Sequence, residues 1–146
     1  MMKLKEEQTL VMVKPDGVKR GLIGEIIKRM EQRGLKIIAM KMFVATKEEL
    51  TKHYSDSNEN LIAMGSKTIA TYQKYGLDPV KEIGTDDPAK IGKMVHGWIV
   101  DFLGSGPMVK MVVQGIHAVE MVRKLVGNTI PSLAEMGTIR GDFSVD

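Results

Sequence analysis

Thr9 to Val44 reads TLVMVKPDGVKRGLIGEIIKRMEQRGLKIIAMKMFV, and this stretch decides the fold. Thr9 to Val13 is a short apolar run closed by Lys14-Pro15-Asp16-Gly17, which predicts a buried strand ending in a turn. From Gly21 to Arg33, Leu22, Ile23, Ile26, Ile27 and Met30 recur at helical spacing, while Glu25, Lys28, Arg29 and Glu31 take the other face. Gly34 suits a C-terminal cap, and Leu35 to Val44, apolar with two lysines, predicts a second strand.

Working outward, Thr46 with Glu49 forms a capping-box pattern for a short helix ending near His53-Tyr54. Ser55 to Asp86 has mixed periodicity and turn signals at Gly65, Gly76 and Gly84, and reads as irregular with some helix. Asp87-Pro88 suits a helix start, and Ile91, Met94, Val95, Trp98, Ile99 and Phe102 follow at offsets of three and four. After Gly104-Ser105-Gly106-Pro107, Met108 to Gln114 predicts a third strand, and Ala118, Val119, Val122, Leu125 and Val126 mark another helix. From Gly127 onward the pattern is loop-like.

Setting the middle aside, the order is strand, helix, strand, strand, helix. Two β-α-β halves forming an antiparallel sheet with helices on one face make an α+β, ferredoxin-like sandwich. The final strand and a C-terminal helix of that arrangement are missing from the pattern. A sheet edge left unpaired beside uncovered apolar helix surface is what a stable domain avoids, so the expectation is a longer natural protein.

The 146 residues suit a single domain, 1–146. A hydrophobic fraction of 43% and a charged fraction of 27% are those of a packed globular chain, which argues against disorder. A net charge of +3 does not by itself imply nucleic acid or an anionic membrane. With no cysteine, disulfides and thiolate metal sites are excluded. The segment Met1 to Gln8 is polar and no apolar run approaches the roughly 18 residues of a membrane span, so the expected location is cytoplasmic. There is no GxxxxGK[ST], no GxGxxG after a strand, no HExxH and no HRD or DFG. Any nucleotide is held by side chains from several loops.

Several segments place a cation or hydroxyl at the end of an element. They are Val13-Lys14-Pro15-Asp16-Gly17-Val18, Arg20-Gly21-Leu22-Ile23-Gly24-Glu25-Ile26 and Gly137-Thr138-Ile139-Arg140-Gly141-Asp142-Phe143. With them stand His53-Tyr54, Ser105-Gly106-Pro107-Met108-Val109, and Arg123 followed by Val126-Gly127-Asn128-Thr129-Ile130-Pro131. In their order along the chain they closely resemble the nucleoside diphosphate kinase family, over nearly the whole chain except a family-atypical insertion around 63–103.

The resemblance implies a ping-pong reaction in which a nucleoside triphosphate gives its terminal phosphoryl group to a histidine, which passes it to a nucleoside diphosphate. It assigns Lys14 to phosphate and sugar contacts, and Arg123 and Arg140 to phosphates that their planar donors match. Thr129 becomes a hydroxyl donor on a loop stiffened by Pro131, Tyr54 lies near the phosphates, and Ile62 stands where the family usually covers the base with phenylalanine. Magnesium is expected on the nucleotide phosphates rather than in a protein cage. The partners implied are nucleoside di- and triphosphates and other copies of the chain, as a hexamer before a tetramer, with Ser132 to Met136 in the subunit-joining loop. Neither membrane nor specific nucleic acid is expected.

In the family the nucleophilic histidine lies on the strand after RGDF, whereas Phe143-Ser144-Val145-Asp146 closes this sequence. His53, His96 and His117 are read as structural, so the 146 residues alone are expected to be inactive. The alternative is a non-catalytic nucleotide-binding or interaction protein lacking the nucleophile. An RNA-binding sheet is disfavoured because Phe43 is the lone ring on the strands.

Overall fold

The computed structural model describes residues 5–145; the first part of the polar N-terminal segment, Met1 to Leu4, and Asp146 lie outside it. The elements run β1 (Glu6–Val13), α1 (Pro15–Lys19), α2 (Ile23–Gln32), β2 (Lys36–Phe43), α3 (Lys47–His53), α4 (Asn58–Lys74), α5 (Pro79–Ile83) and α6 (Pro88–Gly104). They continue with β3 (Met108–Ile116), α7 (Ala118–Val126), a 3-10 turn (Pro131–Leu133) and α8 (Ile139–Phe143). Two compact units result: one holds the residues up to Phe43 and from Pro107 onward, the other is Val44–Gly106.

The first unit is an antiparallel sheet of order β1-β3-β2, as the ferredoxin-like expectation requires of its first three strands. Its strands are two-faced: Val11 and Val13 are buried while Leu10 is 53% exposed, the period of two that puts alternate side chains on opposite faces. Val11, Val13, Met111 and Val113 pack against Ile26 and Met30 of α2 and against Ala118 and Val122 of α7. Both helices therefore cover one face. Met30 and Val113 are wholly buried, and each such side chain contributes about 1.5–3 kcal/mol relative to exposure. A register shift between Ile37 and Ala39 marks a bulge in β2; Ile38 within it and Met40 and Met42 beyond it remain about half exposed.

Lys14-Pro15-Asp16-Gly17 does not form the expected turn but opens α1. Proline at the first helical position needs no N–H partner, Asp16 complements the N-terminal dipole, and Val18 N–H donates to the Lys14 carbonyl at 3.0 Å. Gly21 and Gly34, at φ of 70° and 81°, bracket α2, so the helix is shorter than the apolar period suggested. The C-terminal region is also not all loop. Thr138 accepts from Gly141 N–H at 3.0 Å and starts α8, too short to show a period.

In the second unit the irregular reading of Ser55 to Asp86 is corrected: Asn58–Lys74 is one helix of 17 residues, capped by Ser57, and Asp78 caps α5. Its period was weak because α4 meets α6 through glycine rather than an apolar stripe. A β-carbon at Gly65 would stand 1.8 Å from the Pro88 carbonyl oxygen, and one at Gly92 1.8 Å from that of Leu61. The start of α6 is as expected, Asp87 Oδ1 accepting from Ala89 N–H at 2.9 Å, as is the box at Thr46 and Glu49. Of the expected α6 stripe Ile91 is fully buried, whereas Trp98 is 52% exposed.

Gly65→Ala is expected to cost about 1–3 kcal/mol in urea denaturation by forcing the two helices apart. Gly97→Ala, where a β-carbon meets open space, should be neutral or gain up to about 1 kcal/mol.

Candidate functional site

The outer edge of β1 has no strand beside it among the described residues, and a cleft of about 640 Å³ lies there. Thr9 and Leu10 of β1 and Val119, Val122 and Val126 of α7 form its apolar wall. Arg123 in the last turn of α7, Gly127, Asn128 and Thr129 beyond it, and Arg140 from α8 supply polar groups. An adjoining cavity shares Arg123, Gly127 and Asn128.

Gly127 makes this convergence possible. It sits at φ 85° and ψ −175°, a conformation that only glycine adopts readily, and an added β-carbon would lie 2.4 Å from Thr138 Oγ1. The turn carrying α8 is thereby drawn against the end of α7. Its carbonyl then accepts from Arg140 Nη1 at 3.0 Å. Asn128 Oδ1 accepts from Ile130 N–H at 2.9 Å and shapes the loop presenting Thr129. Gly127 and Asn128 stand in the Val126 to Pro131 motif quoted from the sequence, which gave neither of them a role of its own.

Among the described residues neither Arg123 nor Arg140 pairs with a carboxylate, while Lys124 on the same helix is held by Glu120 at 2.9 Å. Two uncompensated guanidinium groups beside a hydroxyl and an amide suit a phosphate-bearing anion. Lys14 is exposed at the start of α1 and is not among the residues lining the cleft. Tyr54 and Ile62 belong to the second unit. Tyr54 caps α3, its ring edge-on to that of His53 and its carbonyl 2.8 Å from His96 Nε2, and Ile62 on α4 is 40% exposed. His117 stands before α7 at φ 55°, and no histidine lines the cleft.

The turn before α8 is fixed electrostatically. Asp142 Oδ1 accepts from Gly137 N–H at 2.8 Å and Oδ2 pairs with Arg29 Nη2 at 2.8 Å. The Gly137 N–H first, and Arg29 second, hold the Asp142 carboxyl below the usual carboxylate range. Glu25 first, and Asp142 second, hold the Arg29 proton more firmly than usual. A lowered carboxyl contributes stability that is fully present above its unfolded value and is lost as pH falls through the folded one.

No group of three or more His, Asp or Glu side chains is placed to hold a metal among the described residues. The cleft wall offers cations, a hydroxyl and an amide but no carboxylate, a donor set that suits a metal arriving on phosphates.

Fold and cleft together define an α+β sandwich with an arginine-lined cleft at the β1 edge of its sheet. The family model described as nucleoside diphosphate kinase matches residues 7–71 and 88–146, and the chain belongs to that family. A nucleoside diphosphate kinase of Pyrobaculum aerophilum is 51% identical over 140 residues, covering 96% of this chain and 76% of the relative. The crystal structure of an NDP kinase from the same organism superposes with a TM-score of 0.89 at 49% identity, covering 97% of this chain and 78% of that one. A Borrelia burgdorferi nucleoside-diphosphate kinase, described as a transition state mimic with bound vanadate and ADP, gives 0.69 at 35% identity, with 97% and 67% covered. The family match is interrupted at 72–87, inside the stretch read from sequence as an insertion.

Two outcomes are expected. Asp142→Asn should flatten the loss of stability seen below about pH 4 and leave neutral pH free of titration from this site, measured by thermal melts across pH. Gly127→Ala should cost about 1–3 kcal/mol in the same melts, because Thr138 must move.

Proposed function

We propose that this protein is a nucleoside diphosphate kinase, moving the terminal phosphoryl group of ATP to nucleoside diphosphates through a phosphohistidine. The observation that carries the reading is the cleft, where Arg123, Thr129 and Arg140 meet and, among the described residues, neither arginine has a carboxylate partner. Family membership and the ADP and vanadate of the Borrelia relative support it.

In this reading the two guanidinium forks take phosphate oxygens and Thr129 donates its hydroxyl to another, so charge gathering on the phosphoryl group is met by fixed donors. The family motifs alone assign Lys14 to phosphate and sugar, Tyr54 to the phosphates and Ile62 to apolar contact with the base. Magnesium bound to the nucleotide adds neutralising charge on the phosphate oxygens.

The phosphoryl acceptor is a histidine other than His53, His96 and His117. The geometry favours a strand as its carrier: one laid on the edge of β1 would pass along Thr9 and Leu10, cover the exposed Val119, and run by the arginines. The reading takes 1–146 as one domain of the family, with 63–103 inserted. It places the protein in the cytoplasm, which suits the absence, among the described residues, of a helix long and apolar enough to cross a membrane. It assembles as a homo-oligomer, hexamer before tetramer, for which Leu133 and Met136, 53% and 82% exposed beside the 3-10 turn, offer apolar contact.

Arg123→Ala combined with Arg140→Ala should weaken ADP binding by at least about 100-fold in calorimetry, since each charged hydrogen-bond partner is worth roughly 10–100-fold. Unchanged affinity would refute the cleft. Acid-labile labelling of the natural protein by ATP separates the kinase from a non-catalytic binder, which would hold ADP and take up no label.

A further inference from the structure

Helix α8 has five residues, too few to hold its shape without tertiary contacts, yet it carries Arg140. Besides Arg20, whose Nη1 donates to the Phe143 carbonyl at 2.6 Å, what holds it is the side chain of Arg29, only 17% exposed on α2. Its Nη2 pairs with Asp142 at 2.8 Å, its Nη1 donates to the Gly137 carbonyl at 3.1 Å, and its guanidinium lies 4.9 Å from the centre of the Phe143 ring. Glu25, one turn earlier on α2, accepts from Nε at 2.9 Å and aims the group. One planar cation thus grips the turn before α8, its acidic side chain and its last ring together. A lysine has neither the fork nor the flat face to do all three.

Resting on the kinase reading above, we propose that Arg29 is a positioning residue for nucleotide binding: by clamping α8 against α2 it fixes the direction from which Arg140 reaches the phosphates. Arg29 does not line the cleft and acts only through Arg140. Burial alone does not account for the arrangement, because every contact of the guanidinium beyond Glu25 falls on the segment 137–143.

The test is a double-mutant cycle on ADP affinity, measured by calorimetry with magnesium present. Arg140→Ala alone should weaken binding about 10–100-fold. Arg29→Lys, which keeps the charge and loses the fork, should weaken it about 10-fold in the wild-type background and less than about 2-fold once Arg140 is alanine. Asp142→Asn, which preserves shape, should repeat this non-additive pattern with a smaller effect, so the result does not hang on how well one variant folds. An equal loss from Arg29→Lys with and without Arg140 would overturn the clamp, since general loosening of the fold ignores Arg140. So would an unaltered affinity in Arg29→Lys when Arg140→Ala alone is weakened. Should Arg140→Ala itself bind ADP normally, the phosphate cleft fails first, and the clamp with it.

Discussion

Strand β3 is hydrogen-bonded along both sides, to β1 from Glu6 to Val13 and to β2 from Lys36 to Phe43, and the rest of the first unit is arranged by that double pairing. Because it is central, its alternate residues Met111 and Val113 can be buried almost completely, and α2 and α7 must lie over them on one face. β1 and β2 are then both edge strands among the described residues. The far side of β1 carries no strand there, and the cleft forms where it meets the flank of α7. Site and sheet edge are one consequence of the same strand order.

Charge is distributed unequally over the unit. Arg29 is satisfied four times over, by Glu25, Asp142, the Gly137 carbonyl and the Phe143 ring. Arg20 donates to the Phe143 carbonyl at 2.6 Å. Arg140 donates to the Gly127 carbonyl, and among the described residues neither it nor Arg123 pairs with a carboxylate. Cations that build the scaffold are consumed by it, and those at the cleft retain donors for an anion.

Much of the fold was legible because its signals were periodic or chemical. The β1, α2, β2 and β3, α7 segments carry clean apolar spacing, and Thr46 and Asp87 announce their helices as caps. Helix α4 was missed because its contact with α6 is made by the bare backbone at Gly65, which adds nothing to a hydrophobic pattern. Helices α1 and α8 were missed because five residues cannot display a period. Arg123, Thr129 and Arg140 were named from motif resemblance, and their meeting depends on the dihedral angles of Gly127, which side-chain patterns do not report. Lys14 was named on the same grounds and stands outside the cleft wall.

The register pairs Phe43 with Met108, so the chain leaves the sheet and re-enters it at neighbouring points. Seen from the sheet, everything from Val44 to Gly106 is the tip of a hairpin. Closing such a tip costs entropy that grows only with the logarithm of its length, so β2 and β3 lose little by carrying a helical body where a short turn would do. At the mouth of that hairpin the length of the intervening chain weighs little on the pairing of the three strands.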